Sequence, residues 1–415
     1  MVTEMNDKFI KYAIIVPDGM ADEACESLGG KTVMEAASKP CMDHLAKNGV
    51  VGTVSNVPEG MVPESDTANM AILSFNPRIY SKGRSPLEAL SMGLHMSDED
   101  TAIRCNLVAI SEDECDYDDK TMLDHSGGDI TTEEADVLLK AINEELSYDG
   151  LHFYTGIDYR HCLLIRNGYD KYNFARPHDI LGEKITKYLP CGEHGEFFYK
   201  LMRRSYDILN NHPLNVKRAA EGKLKANSIW LWSPGKKPQM PDFCEKWGIR
   251  SATVIAAVDL IKGIGKCAGM ETPGVPGATG TPYTDFESKG RAAVKAFEDG
   301  AQLVYVHVEA PDESGHKGDA ILKVNTVEMI DKHIVSKVYD YLKSGDSLFK
   351  IMILPDHPTP CSIRTHTSSP VPYLIYSSEE KIKSGVEAFN EATATAQNNY
   401  TKNGYELLSE LIKNS

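Results

Sequence analysis

The chain has 415 residues, 41% of them hydrophobic, which is enough for a large core divided among two or three domains. Asp and Glu number 60 against 44 Lys and Arg, and the formal charge of -16 repels polyanions, which argues against nucleic acid and anionic membrane as partners. The nine cysteines, an odd number with no C-x-x-C pair, fit neither a disulfide framework nor a zinc knuckle and suit a reducing cytoplasm, and no apolar run approaches the roughly 20 residues of a membrane helix.

In chain order, the first strand is expected at Tyr12-Ala13-Ile14-Ile15-Val16. A near-continuous apolar run of that length marks a strand buried on both faces of a parallel sheet, and it is too short for the core of a secretory leader. Asp18 follows it in Val16-Pro17-Asp18-Gly19, which alone reads as a turn. A helix is expected over 33–48, interrupted at Pro40. Val62-Pro63-Glu64-Ser65-Asp66-Thr67-Ala68-Asn69 then sets Ser65 between two acids ahead of an apolar helical start, where Ser and Asp ordinarily cap.

The middle of the chain, 104–225, loses the strand–helix rhythm. It carries acidic loops (Glu112 to Asp119), Gly/Asp turns and a helix over 132–146. Buried strands resume at Ile229–Trp232, Thr253–Val258, Leu303–Val306, Ile351–Leu354 and Val371–Tyr376, with a long amphipathic helix over 320–343. The economical reading is an α/β core with a mainly parallel sheet flanked by helices, built from 1–103 and 226–415. A smaller α+β domain is inserted at 104–225.

In open α/β sheets, functional groups collect beyond the carboxyl ends of the strands. Leu303–Val306 runs into HVEAPDESGHKGD, where Asp312 and His316 at i, i+4 share one face of a helical turn between Pro311 and Gly315. Ile351–Leu354 runs into Pro355-Asp356-His357-Pro358, with His366 nearby in Arg364-Thr365-His366-Thr367. With Asp18 these make three carboxylates and three imidazoles without a thiolate, a donor set for two divalent cations, Mn²⁺ or Zn²⁺. Two such ions about 3.5–4 Å apart can clamp the entering and leaving oxygens of a phosphoryl group, and a Ser hydroxyl held there becomes a nucleophile. Ser65 is the candidate. Other signatures fail: Gly29-Gly30-Lys31-Thr32 imitates the end of a P-loop, but Cys25 stands where the pattern needs Gly. Neither G-x-S-x-G around Ser65 nor H-E-x-x-H is present.

Asp18, Ser65, Asp312 with His316, Asp356 with His357, and His366 fall in the order of the metal ligands of the alkaline phosphatase superfamily. The chain most resembles the archaeal-type cofactor-independent phosphoglycerate mutases, through VPDGMAD, LGGKTVMEAA, VPESDTANMAIL, GRSPLEALSMG, RCNLVAIS, YRHCLL, ANSIWLW, AAVDLIKGIG, VPGATG, HVEAPDESGHKGD and LPDHPTP with RTHT. The resemblance implies an alkaline-phosphatase-like core with one cation on Asp312, His316 and His366 and another on Asp18, Ser65, Asp356 and His357. The ions implied are Mn²⁺, or Zn²⁺ or Mg²⁺, with no 2,3-bisphosphoglycerate. Ser65 would carry the phosphoryl group between 3-phosphoglycerate and 2-phosphoglycerate, with Lys262 helping to hold the transferring phosphate. The inserted domain would close as a lid and offer Arg160, His161 and His125 to the substrate. The same resemblance leaves open a homoserine kinase-like phosphotransferase, for which the acidic stretch 112–119 could meet the substrate ammonium. A metal-dependent phosphatase and a metabolite binder without turnover are further alternatives. A soluble cytoplasmic enzyme acting on a small phosphorylated metabolite is expected.

Overall fold

The computed structural model describes residues 9–379 and 383–412. Among the described residues twelve strands are formed: β1 (Ile10–Pro17), β2 (Val50–Val54), β3 (Thr101–Ile110), β4 (Met122–Asp124), β5 (Leu151–Ile157), β6 (Arg160–Ile165), β7 (Ser228–Lys236), β8 (Ala252–Ile255), β9 (Leu303–Val308), β10 (Leu348–Ile353), β11 (Val371–Ser377) and β12 (Tyr400–Thr401). The chain divides into two compact units, one made of the residues up to Ser81 and from Met240 onward, the other of Lys82–Gln239.

The first unit holds a seven-stranded sheet in the order β12-β2-β11-β10-β1-β9-β8. β10, β1, β9 and β8 are mutually parallel, whereas β11 runs antiparallel to both β10 and β2. Side chains alternate across it. Ala13, Ile15, Val304, Val306, Ile351 and Ile353 form one core with Met34, Leu45, Phe297, Val327, Ile334 and Val338 from the flanking helices. On the opposite face, the Tyr305 hydroxyl donates to Asn69 of helix Ser65–Ile72, and helices Asp259–Cys267 and Gly404–Ile412 pack against that helix. The expected helix over 33–48 is two, Val33–Ala36 and Pro40–Lys47, because Pro40 can open a helix but not continue one. The expected helix over 320–343 contains one π turn, Asp331–Val335.

The second unit is built on a five-stranded antiparallel sheet, β4-β3-β6-β5 with β7 paired to β3. Ile229–Trp232 therefore belongs here, not to the parallel core as its apolar run implied. It is covered on both faces, so its composition copies that of a parallel strand. Its pairing with β3, together with the packing of helix Ser85–Ser91 on both, also moves the unit's limits outward from the expected 104–225 to Lys82–Gln239. Val371–Tyr376 stays in the core sheet but runs antiparallel. No helix among the described residues is long and apolar enough to cross a membrane.

Candidate metal centre and nucleophile

Three neighbouring parallel strands deliver the site. In register Val16 lies beside His307, Pro17 beside Val308, and Ile15 beside Ile353, so β1, β9 and β10 end together. Asp18 follows β1 directly and its N–H donates to the Val308 carbonyl at 3.0 Å. Gly19 then turns the chain at φ +63°, and its N–H donates to Asp356 Oδ1 at 3.1 Å. A Cβ at Gly19 would lie 2.5 Å from Thr359 Oγ1 and 2.9 Å from Asp312 Cα, so only glycine fits. After β9, helix Ala310–Lys317 starts with Pro in its first turn, stops at the left-handed Gly318, and stacks Asp312 above His316. Ser65 is the first residue of helix Ser65–Ile72, half-buried, with its Oγ 3.3 Å from His357 Nε2.

All seven expected ligand residues come together in the first unit. His316 Nε2 lies 3.2 Å from Asp312 Oδ2, His366 Nε2 lies 3.3 Å from Asp312 Oδ1, and the two imidazole nitrogens are 3.0 Å apart. His357 Nε2 lies 3.7 Å from Asp18 Oδ1 and 3.5 Å from Asp356 Oδ2, and its ring stacks on His366 at 3.9 Å. Three carboxylates so placed repel one another. Burial, then the charges of Asp356 and Asp312, push Asp18 well above the usual carboxylate range. Burial also penalises charge on Asp312, but hydrogen bonds from His316 and His366 override it and hold that carboxyl well below the usual range. The same hydrogen bond to Asp312 draws His316 up to about 9. Asp18 Oδ1 is buried without a hydrogen-bond partner. Carboxylate oxygens and imidazole Nε2 atoms aimed at common points, one oxygen still unsatisfied, fit divalent cations.

Residues outside the expected set hold these groups in place. Asn69 Nδ2 donates to Asp356 Oδ2 and to the Ser65 carbonyl, both at 2.8 Å, tying the Ser65 helix to Asp356. Thr359 donates to Asp312 and lies 3.3 Å from His357 Nδ1. Buried Lys323 donates to the Thr359 carbonyl at 2.8 Å and pairs with Asp22 at 2.7 Å. His307, inside β9, places Nε2 3.4 Å from Asp18 Oδ2. A histidine within an otherwise apolar strand was the available signal for it; Asn69 and Thr359 gave none.

Lys262 sits on helix Asp259–Cys267, which packs against the Ser65 helix, with its Nζ 3.7 Å from Asp259. In the second unit Arg160 is exposed at the start of β6, its guanidinium 4.3 Å from the Tyr159 ring, and the half-buried His125 ring meets that tyrosine edge-on. His161, one residue on, points inward by strand alternation. It is 4% exposed, accepts from the Gly156 N–H, and burial pushes its pKa down to about 3, so it is a neutral core imidazole and not the cation expected. In the acidic stretch, Glu112 pairs with Lys225, Glu114 accepts from Ser111, Asp118 from Tyr199, and Asp119 lies 3.7 Å from Lys184, all within the unit.

Residues 46–215 match the profile of the 2,3-bisphosphoglycerate-independent phosphoglycerate mutase family. Proteins of that name from Methanosarcina mazei and Methanosarcina barkeri are 44% and 42% identical over 405 residues, 97% of this chain and 100% of each relative. Among solved structures, the PH0037 protein from Pyrococcus horikoshii superposes with a TM-score of 0.81 at 26% identity, covering 98% of both chains. The cofactor-independent phosphoglycerate mutase from Thermoplasma acidophilum has the same fold, with a TM-score of 0.67 at 23% identity over 97% of this chain and 99% of its own.

Proposed function

The chain belongs to the 2,3-bisphosphoglycerate-independent phosphoglycerate mutase family, and on that premise we propose that it interconverts 3-phosphoglycerate and 2-phosphoglycerate through a phosphoserine on Ser65. The observation that carries this reading is the Ser65 hydroxyl, 3.3 Å from His357 Nε2, at the edge of a buried cluster of three aspartates. Asp312, His316 and His366 would hold one divalent cation and Asp18, Ser65, Asp356 and His357 a second, with Mn²⁺ favoured by the mixed oxygen and nitrogen donors. Bound there, the cations supply positive charge to the phosphoryl oxygens and lower the pKa of the Ser65 hydroxyl.

The residues themselves account for the rest. Ser65 Oγ bonds to phosphorus as the C3–oxygen link to phosphorus breaks; the hydroxyl loses a proton and the departing C3 oxygen gains one. The glycerate then presents its C2 hydroxyl, whose oxygen takes the phosphoryl group and returns Ser65 to its starting form. No water is consumed and 2,3-bisphosphoglycerate is not needed. The N-terminus of helix Ser65–Ile72 lies at the nucleophile, and its helix dipole favours the negative charge gathering on Oγ and phosphate. Asn69 fixes that helix against Asp356. We assign Lys262 to the transferring phosphate and Arg160 and His125 to the substrate's anionic groups. Arg160 and His125 thereby give the Lys82–Gln239 unit a substrate-binding role in this reading.

The test is phosphorus NMR of the Mn²⁺-loaded chain with 3-phosphoglycerate. A 2-phosphoglycerate resonance is expected. Release of inorganic phosphate alone would convert the reading to a phosphatase, and turnover only after homoserine and a phosphoryl donor are added would convert it to a kinase.

A further inference from the structure

Beyond β1 and β10 two stretches of chain run side by side. The Gly19 N–H donates to Asp356 Oδ1 at 3.1 Å, the Thr359 N–H to the Ala21 carbonyl at 3.3 Å, and the Cys361 N–H to Asp22 Oδ1 at 3.2 Å. Ser362 Oγ then donates to Glu23 Oε2 at 3.2 Å. Each stretch brings one cysteine to this seam, Cys25 half-buried and Cys361 buried. Cys25 Sγ lies 3.8 Å from Asp22 Oδ1, the oxygen that also accepts from the Cys361 N–H, and 3.4 Å from the Glu23 carbonyl. The two thiols meet there in a hydrogen bond between their sulfurs.

Asp22, against which both cysteines rest, is itself wired to the site. It is buried and pairs with Lys323 at 2.7 Å, and Lys323 donates onward to the Ala21 carbonyl at 3.3 Å and to the Thr359 carbonyl at 2.8 Å. Thr359 in turn donates to Asp312. The same carboxylate governs the thiols. Burial, then the charge of Asp22, pushes the Cys25 thiol up, and burial pushes Cys361 up to about 12. Thiols so shifted react slowly at neutral pH. A disulfide between them is correspondingly hard to reduce, because reduction must expel a thiolate beside a buried carboxylate.

From this geometry we infer that Cys25 and Cys361 form a reversible disulfide that staples the stretch after β1, which carries Asp18, to the stretch after β10, which carries Asp356, His357 and His366. Its effect on metal retention rests on the two-cation reading given above; the bond itself does not. The oxidant is a low-molecular-weight disulfide. The Cys25 thiolate attacks one of its sulfurs and one small thiolate leaves. Cys361 then loses its proton and attacks Cys25 Sγ, and the second small thiolate leaves. Two protein thiols are oxidised, one small disulfide is reduced, and the two cysteine protons end on the two small thiols. A cross-link that closes so long a segment of chain removes much of the unfolded state's freedom.

The test treats the full Mn²⁺-loaded chain with oxidised glutathione at mildly alkaline pH. Free thiols are blocked, disulfides are mapped by peptide mass spectrometry, and Mn²⁺ loss into excess chelator is followed. A peptide pair linked through Cys25 and Cys361 is expected, and dithiothreitol should separate it. The linked form should unfold about 5 °C or more above the reduced form and lose Mn²⁺ about tenfold more slowly. Cys361→Ser should show neither the linked pair nor either shift; Cys25→Ser, at the half-buried position, serves if Cys361→Ser does not fold. Glutathione found only on the exposed Cys115 and Cys191, or remaining on Cys25, overturns the inference. A linked pair with Mn²⁺ loss unchanged overturns the staple. Failure to retain Mn²⁺ in either redox state overturns the two-cation reading instead, and the linked pair still decides the bond.

Discussion

His307 and His161 are both buried imidazoles inside strands, one in each unit, and they are driven in opposite directions. Burial alone lowers an imidazole's affinity for a proton, and at His161, where the only notable opposing charge is Asp136, it takes the pKa down to about 3. At His307 the same burial is outweighed by hydrogen bonds and charge from Asp356 and Glu309, and the pKa rises to about 9. Strand position and burial therefore do not by themselves set an imidazole's proton affinity. What separates the two is the convergence of carboxylates, which follows from three parallel strands ending side by side. In the antiparallel sheet of the second unit neighbouring strands run in opposite directions and share no carboxyl end.

That contrast is broken most severely by removing the group the first unit's cluster serves. Ser65→Ala should lower mutase turnover by about 10⁴-fold or more and abolish a phosphoenzyme trapped by acid quench. Retained turnover within tenfold of wild type would take Ser65 out of the nucleophile's role. Next in size is Gly19→Ala. Its φ of +63° and the close approach of Thr359 and Asp312 leave no room for a methyl, so a loss of roughly 2–4 kcal/mol in urea unfolding is expected, together with weakened metal binding. A stability within about 0.5 kcal/mol of wild type would mean the turn relaxes and does not lock the ligands. Smaller again is Asn69→Ala, which leaves every ligand present but frees Asp356 and the Ser65 helix. Affinity for Mn²⁺ measured by calorimetry should fall about 10–100-fold; an unchanged affinity would show that Asp356 needs no outside support.

These variants also mark what the sequence disclosed. Asp18, Asp312, Asp356 and His357 could be read because each follows an apolar run that had to be a buried strand, and strand ends are where such sheets gather function. His366 joined them by lying nine residues beyond His357, and Ser65 as the hydroxyl between two acids ahead of an apolar helical start. Asn69 and Thr359 could not be read, since their importance lies in the partner that each meets across a long stretch of chain. His307 was hidden differently: it interrupts an apolar strand, and which face it takes depends on the register between β9 and β1. The misplacement of Ile229–Trp232 has a related cause. Burial on both faces writes the same composition into parallel and antiparallel strands, and only pairing with β3 tells them apart.

The second unit's side of the comparison yields the gentlest effect. In the folded chain His161 titrates near 3, whereas an unfolded imidazole titrates near 6.5. Between these values the unfolded state binds a proton that the folded state refuses, so stability rises with pH there. The contribution is complete above about 6.5 and is lost as pH falls towards about 3, reaching about 2 kcal/mol of loss by about pH 5. Urea titrations of the full chain, read through Trp230 and Trp232 of this unit, should show that slope. His161→Gln keeps an acceptor for the Gly156 N–H but cannot titrate, so subtracting its profile from that of wild type isolates the contribution of the imidazole. A flat difference between about pH 7 and pH 5 would mean that the imidazole is protonated in the folded state. His161 would then return to the candidates for binding an anionic substrate, and burial would no longer distinguish the two histidines.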